Sequence, residues 1–362
     1  MREKYYSLRR ILEKHALYNV IFGERSNGKT WAILEYGLRQ YINTGKQMAY
    51  IRRWNEEFVG KRGSQLFAGI VEKGIVEKLT KGRWTGVYYY ASKWYLCNYN
   101  DEGKRDETDP IPFCYGFALS SMEHDKSIAY PNVTTIFFDE FLSRSQYLID
   151  EFVLFCNVLS TIIRRRKDVT IFMAGNTVTK YCPYFAEMGL TKIKTMHPGK
   201  IDLYNYGDSG LTVAVEYAEP SAKGKESDVY FAFNNPKLKM ITSGAWEMAI
   251  YPHCPVKYSP SDVLFTYFVY FDGDLLQCEI VSKDDLRFTF VHRKTTPLKN
   301  ISEDVIFSPE YSPRPNWYRK ITKPLTDAGK KIAEFYIRDK VFFQDNEVGE
   351  IMQNYLKWCA IA

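Results

Sequence analysis

Eight consecutive residues, Gly23-Glu24-Arg25-Ser26-Asn27-Gly28-Lys29-Thr30, constrain this chain more than any other stretch. They complete the phosphate-loop spacing G-x-x-x-x-G-K-T. An apolar run, Tyr18-Asn19-Val20-Ile21-Phe22, leads into them, and Ile33, Leu34, Gly37, Leu38 and Tyr41 follow at helical spacing. Strand, glycine loop and helix in that order predict an α/β domain with a nucleotide at the loop. The glycines let successive backbone N–H groups curl round a polyphosphate, and the helix N-terminus adds partial positive charge beneath it. In this reading Gly23, Glu24, Arg25, Ser26, Asn27, Gly28, Lys29 and Thr30 form the binding loop. Lys29 reaches the β- and γ-phosphates, and the Thr30 hydroxyl coordinates Mg²⁺. Arg25 either contacts phosphate or makes a surface ion pair.

A second acidic signal completes the first. Thr135-Ile136-Phe137-Phe138 runs into Asp139-Glu140, as a strand buried on both faces would. Its carboxyl end would deliver Asp139 to the Mg²⁺ of an ATP, and Glu140 would polarise the attacking water as general base. The structural alternative is a pair of exposed acids closing a strand.

Several further residues admit two readings. Arg164-Arg165-Arg166 follows a helical stretch at 150–163 and precedes the strand at Val169–Ala174. It supplies either an arginine for a neighbouring subunit's γ-phosphate or basic decoration of a helix C-terminus. Asn176 either senses the γ-phosphate or sits in an ordinary Gly-Asn turn. Arg52-Arg53 closes the strand Gln47–Ile51 and either couples to the site or to nucleic acid, or is a solvated strand end. Lys61 and Arg62, in a basic region from Arg39 to Arg105, either neutralise a DNA backbone or form a solvated face.

The chain is 362 residues long, enough for two or three domains. Its 45% hydrophobic and 25% charged composition excludes a disordered chain. Strands alternating with helices predict a mostly parallel sheet over 1–196. A β-rich linker or hinge is expected at 197–244, marked by the polar stretch Ser221–Ser227, and an α+β domain at 245–362. Residues 1–17 read as a short amphipathic helix, 54–83 as helical and 99–110 as an exposed loop. Seven scattered cysteines without C-x-x-C spacing predict reduced thiols and no zinc site. No apolar signal core or membrane-length run occurs, so the chain is expected to be soluble and intracellular. Its net charge of +6 suits a polyanionic partner.

Taken together, Gly23–Thr30, the strand end Ile51-Arg52-Arg53, the phrase Ala129-Tyr130-Pro131-Asn132-Val133 leading into Phe137-Phe138-Asp139-Glu140-Phe141, and Arg164 through Asn176 resemble the DNA packaging (encapsidation) ATPases of phi29-like tailed phages. The likeness covers about 18–190 and fades after 197. It implies an ASCE-type P-loop motor, similar to terminase large subunits and HerA/FtsK translocases. Such a motor drives double-stranded DNA through the portal of a procapsid, as a homo-oligomeric ring, with five subunits expected. Arg164 matches the family's trans-acting arginine. The resemblance further implies a C-terminal domain like a nuclease-inactive RNase H fold, docking DNA, portal or a packaging RNA. It places the protein in the infected host's cytoplasm, transiently attached to the procapsid. Two alternatives stand beside it: a terminase large subunit with a working nuclease, and an assembly factor that binds ATP without hydrolysing it.

Overall fold

Six parallel strands lie at the centre of the first sheet because the segments between them return as helices and loops over its two faces. The computed structural model describes residues 5–100, 102–124, 128–143, 147–220 and 249–361. The chain divides into two compact units, Met1–Trp246 and Glu247–Ala362.

In the first unit the strands are β1 (Tyr18–Gly23), β2 (Gln47–Arg52), β3 (Gly86–Tyr90), β4 (Lys93–Tyr99), β5 (Arg105–Thr108), β6 (Cys114–Ala118), β7 (Val133–Asp139), β8 (Thr170–Asn176), β9 (Ile201–Tyr206) and β10 (Leu211–Tyr217). Their spatial order is β3-β4-β6-β2-β7-β8-β1-β10-β9, with β5 paired to β4. The run β6-β2-β7-β8-β1-β10 is parallel throughout. One face packs Val20, Phe22, Ile51, Ile136 and Phe138 beneath Phe155, Val158 and Tyr184. The other packs Ile21, Met48, Phe137 and Phe172 beneath Ile33, Leu34 and Leu38. Strands with two buried faces need apolar residues at nearly every position, which is why they read as continuous apolar runs.

The helices of this unit are α1 (Arg9–Leu12), α2 (Lys29–Thr44), α3 (Lys61–Gln65), α4 (Ala68–Glu72), α5 (Ile75–Thr80), α6 (Glu151–Ile163) and α7 (Pro183–Glu187). Gly28 caps α2 at φ 92°, in the left-handed region that favours glycine. Gly37 lets α2 press on β2, since a Cβ there would lie 2.4 Å from the Met48 sulfur.

Three expectations change. The region 197–244 is not a linker along its length: β9 and β10 belong to the first sheet, β10 pairing directly with β1. β9, the edge strand, alternates between half-buried and exposed residues over most of its length, and Gly207 and Gly210 mark the turn between the two strands. The stretch Ser221–Ser227 lies outside the described residues. The loop at 99–110 contains β5, held to β4 through Cys97–Thr108 and Tyr99–Arg105. Among the described residues up to 17, which begin at 5, Arg9–Leu12 alone is an α-helix.

The second unit carries β11 (Val263–Phe271), β12 (Asp274–Lys283), β13 (Leu286–Arg293), β14 (Ile306–Phe307), β15 (Trp317–Tyr318) and β16 (Val341–Phe343), with α8 (Asp327–Ile337) and α9 (Asn346–Ile361). The sheet order is β15-β14-β11-β12-β13-β16. β11, β12 and β13 form an antiparallel meander, whereas β14 is parallel to β11 and β15 to β14. Tyr267, Val269, Cys278, Val291, Ile351 and Tyr355 are buried in it.

Candidate nucleotide site

Because β1, β2, β7 and β8 are parallel neighbours, their carboxyl ends lie along one sheet edge, where open α/β sheets hold ligands. That edge gathers the loop after β1, Arg52 from β2, Asp139 from β7 and Asn176 from β8. The register sets Gly23 beside Asn176 and Asp139 beside Ala174.

Lys29 is buried, and its Nζ donates to Glu24 O (2.6 Å), Asn27 Oδ1 (3.2 Å), Gly23 O (3.4 Å) and Asn176 Oδ1 (3.5 Å). Burial lowers its pKa to about 8, against the opposing pull of Asp139 and Glu24. Thr30 Oγ1 donates to Asp139 Oδ1 at 3.1 Å. Asp139 Oδ2 accepts from Tyr50 Oη (3.1 Å) and Arg52 Nη1 (3.3 Å). Desolvation pushes the Asp139 carboxyl above its usual range, with Arg52 pulling it back.

Glu140 follows directly, at φ 55°. Its side chain is 58% exposed, and its Oε2 accepts from Arg52 Nη2 at 2.8 Å. Arg52 also pairs with Glu57, so one guanidinium serves three carboxylates. These residues fit a magnesium triphosphate: a hydroxyl and a carboxylate already face each other, an ammonium lies beside them, and α2 begins at Lys29, its N-terminal end next to them. Asn27 Nδ2 is buried without a hydrogen-bond partner among the described residues, a donor ready for an anion. Among the described residues no group of three or more His, Cys, Asp or Glu is placed to hold a metal ion.

Not every candidate lies at this edge. Arg164 ends α6, which runs back to the start of β8; its Nη2 donates to Ile128 O, ahead of β7. That is the opposite end of the sheet from Lys29, about 20 Å away along a seven-residue strand. Arg166 is spent within the fold, donating to the carbonyls of Tyr130, Val133 and Ile162. Arg25, Lys61 and Arg62 are exposed. Among the described residues no helix is long and apolar enough to cross a membrane.

Sequence reading missed Tyr50, Glu57 and the segment ahead of β1. Tyr6 N donates to Asn27 O at 2.9 Å and Tyr6 Oη to the buried Glu216 at 2.6 Å, strapping that segment to the loop. A tyrosine before a phosphate loop carries no motif. Tyr50 could have been found from strand alternation, which puts it on the same face of β2 as Arg52.

A model of the podovirus DNA encapsidation protein (Gp16) family matches residues 1–94 and 103–205. The DNA packaging proteins of Bacillus phages PZA and phi29 are each 29% identical over 185 residues, 50% of this chain and 49% of theirs. The chain thus spans about half the length of the curated relatives it matches. Among solved structures, the bacteriophage Phi-29 viral genome packaging motor assembly aligns at a TM-score of 0.57 and 18% identity, over 97% of this chain and 96% of that one. The Phi-28 gp11 DNA packaging motor aligns at 0.53 and 18%, over 99% and 98%. At such identities the likeness is one of fold. With the family's match covering more than half of its length, the chain belongs to the podovirus DNA encapsidation protein (Gp16) family.

Proposed function

We propose that this chain is an ATP-hydrolysing motor of the ASCE P-loop type that moves double-stranded viral DNA through a portal into a procapsid. One observation carries the reading: Thr30 and Asp139 meet across the sheet edge, with Lys29 beside them and Glu140 next in sequence. Lys29, Thr30 and Asp139 would hold Mg-ATP, and the metal, when bound, neutralises charge developing on the phosphates. Glu140 orients and deprotonates the attacking water, and Asn176, within reach of Lys29, senses the γ-phosphate.

Arg164 is too far from its own loop to serve it, which supports action on a neighbouring subunit's ATP in a ring; five subunits is the expected number. Lys61 and Arg62 offer exposed cations for the DNA backbone. The order β13-β12-β11-β14-β15, with β14 parallel to β11, supports an RNase H-like second unit, there to dock DNA, portal or a packaging RNA. The site of action is the infected host's cytoplasm, on the procapsid.

Phosphate release by the purified protein, with and without double-stranded DNA, tests the reading. DNA-stimulated release that falls with salt and vanishes in Lys29→Ala is expected. ATP binding without release would contradict it.

A further inference from the structure

Two consecutive arginines leave β2 and do different things. Arg52 reaches carboxylates, as described. Arg53 faces the other side, 6% exposed, and reaches carbonyls: its Nη1 donates to Glu140 O at 3.3 Å and its Nη2 to Phe141 O at 2.9 Å. Its Nε donates to Glu151 Oε2 at 2.7 Å, and its guanidinium lies 4.9 Å from the Tyr147 ring centroid. Glu151 is fully buried and is itself fixed by Tyr184 Oη (2.8 Å) and Leu148 N (2.7 Å).

The backbone at Glu140 needs such a brace. A φ of 55° is costly for a glutamate and persists only where neighbours impose it. Phe141 N donates to Ala174 O on β8, pinning one side of the turn. Arg53 pins the other, by the carbonyl of Glu140 and the next one along, that of Phe141. We propose that Arg53 is a positioning residue for Glu140, setting the main-chain turn from which the Glu140 carboxylate is aimed at the reacting water. This rests on the reading of Glu140 as general base. Arg53 touches no substrate; Glu151, Tyr184 and Tyr147 fix its plane, and its rigid fork serves Glu151 and both carbonyls together. A lysine keeps the charge opposite Glu151 but not this three-way geometry.

Steady-state ATP hydrolysis by Arg53→Lys, measured alone and in a Glu140→Gln background, tests the proposal. The expected result is a fall in kcat of about 10²-fold, as for a displaced catalytic group, with KM for ATP within about twofold of wild type. In the Glu140→Gln background, Arg53→Lys should cause no further loss, because both changes remove one function. If Arg53→Lys does not fold, Arg53→Gln combined with Glu151→Gln removes both charges together and should show the same split. Wild-type kcat in a folded Arg53 variant overturns the proposal. So does an equal further loss in the Glu140→Gln background, which would put Arg53's effect elsewhere. Full turnover by Glu140→Gln alone would overturn the general-base reading itself, and the positioning role with it.

Discussion

Thr30 Oγ1 donates to Asp139 Oδ1 at 3.1 Å, joining residues 109 positions apart in the chain. The strands that lead to them are not neighbours: β8 lies between β1, which feeds the loop before Thr30, and β7. The contact therefore depends on three parallel strands ending in step, and a slip of one residue in β7 would turn Asp139 to the opposite face. Hydroxyl and carboxylate are the donor types a hard divalent cation takes.

Lys29 sets a pH limit on nucleotide binding. Its ammonium is buried among neutral oxygens, and burial brings its pKa down to about 8. A lowered pKa means that the empty site loses this proton as pH rises through about 8, while a bound triphosphate holds it in place. ATP affinity should be flat below that value and fall by up to about tenfold per pH unit above it. Calorimetry should show proton uptake on binding near pH 8–9, as heat that depends on the buffer. Unchanged affinity about two units above the pKa would contradict this.

Arg164 and Arg166 of the arginine triplet differ in what they touch. Arg164→Ala should lower kcat by about 10³-fold or more while leaving ATP binding intact, if it serves a neighbouring site. Arg165→Ala should be close to wild type. Arg166→Ala leaves the carbonyls of Tyr130, Val133 and Ile162 short of a donor. It should cost about 1–3 kcal/mol of stability, read from the denaturant midpoint. An unstable Arg164→Ala protein beside a stable Arg166→Ala protein would reverse the assignment.

Arg52 balances the charge of the site. Without it, Asp139, Glu140 and Glu57 face the triphosphate with one cation fewer. Arg52→Ala should weaken ATP binding and destabilise the fold by about 3 kcal/mol, since it strands the buried Asp139. Asp139→Asn should recover part of that stability, giving a coupling of about 1 kcal/mol or more in a double-mutant cycle. Strictly additive effects would show that the pair does not interact.

Much of this site was legible in the sequence because its chemistry is local. The loop from Gly23 to Thr30 places glycine at Gly28, where φ is 92°, and the apolar run before Asp139 marks a strand covered on both faces. Asn176 was ambiguous, since only strand order shows that β8 ends beside Gly23. Tyr50 and the Arg53–Glu151 pair were not legible as partners: they meet across the fold, and no periodicity links residues 98 positions apart. β9 and β10 were read as part of a linker because glycine breaks resemble a hinge until the pairing with β1 is seen.

The most direct measurement is the Mg²⁺ dependence of ATP affinity in the wild type, Thr30→Ala and Asp139→Asn. If Thr30 and Asp139 hold the metal of a bound triphosphate, wild-type affinity rises with Mg²⁺. Each substitution then removes about tenfold or more of that gain, the scale of a lost charge-assisted contact, while affinity in the absence of Mg²⁺ changes little. An undiminished Mg²⁺ response in Asp139→Asn would contradict it.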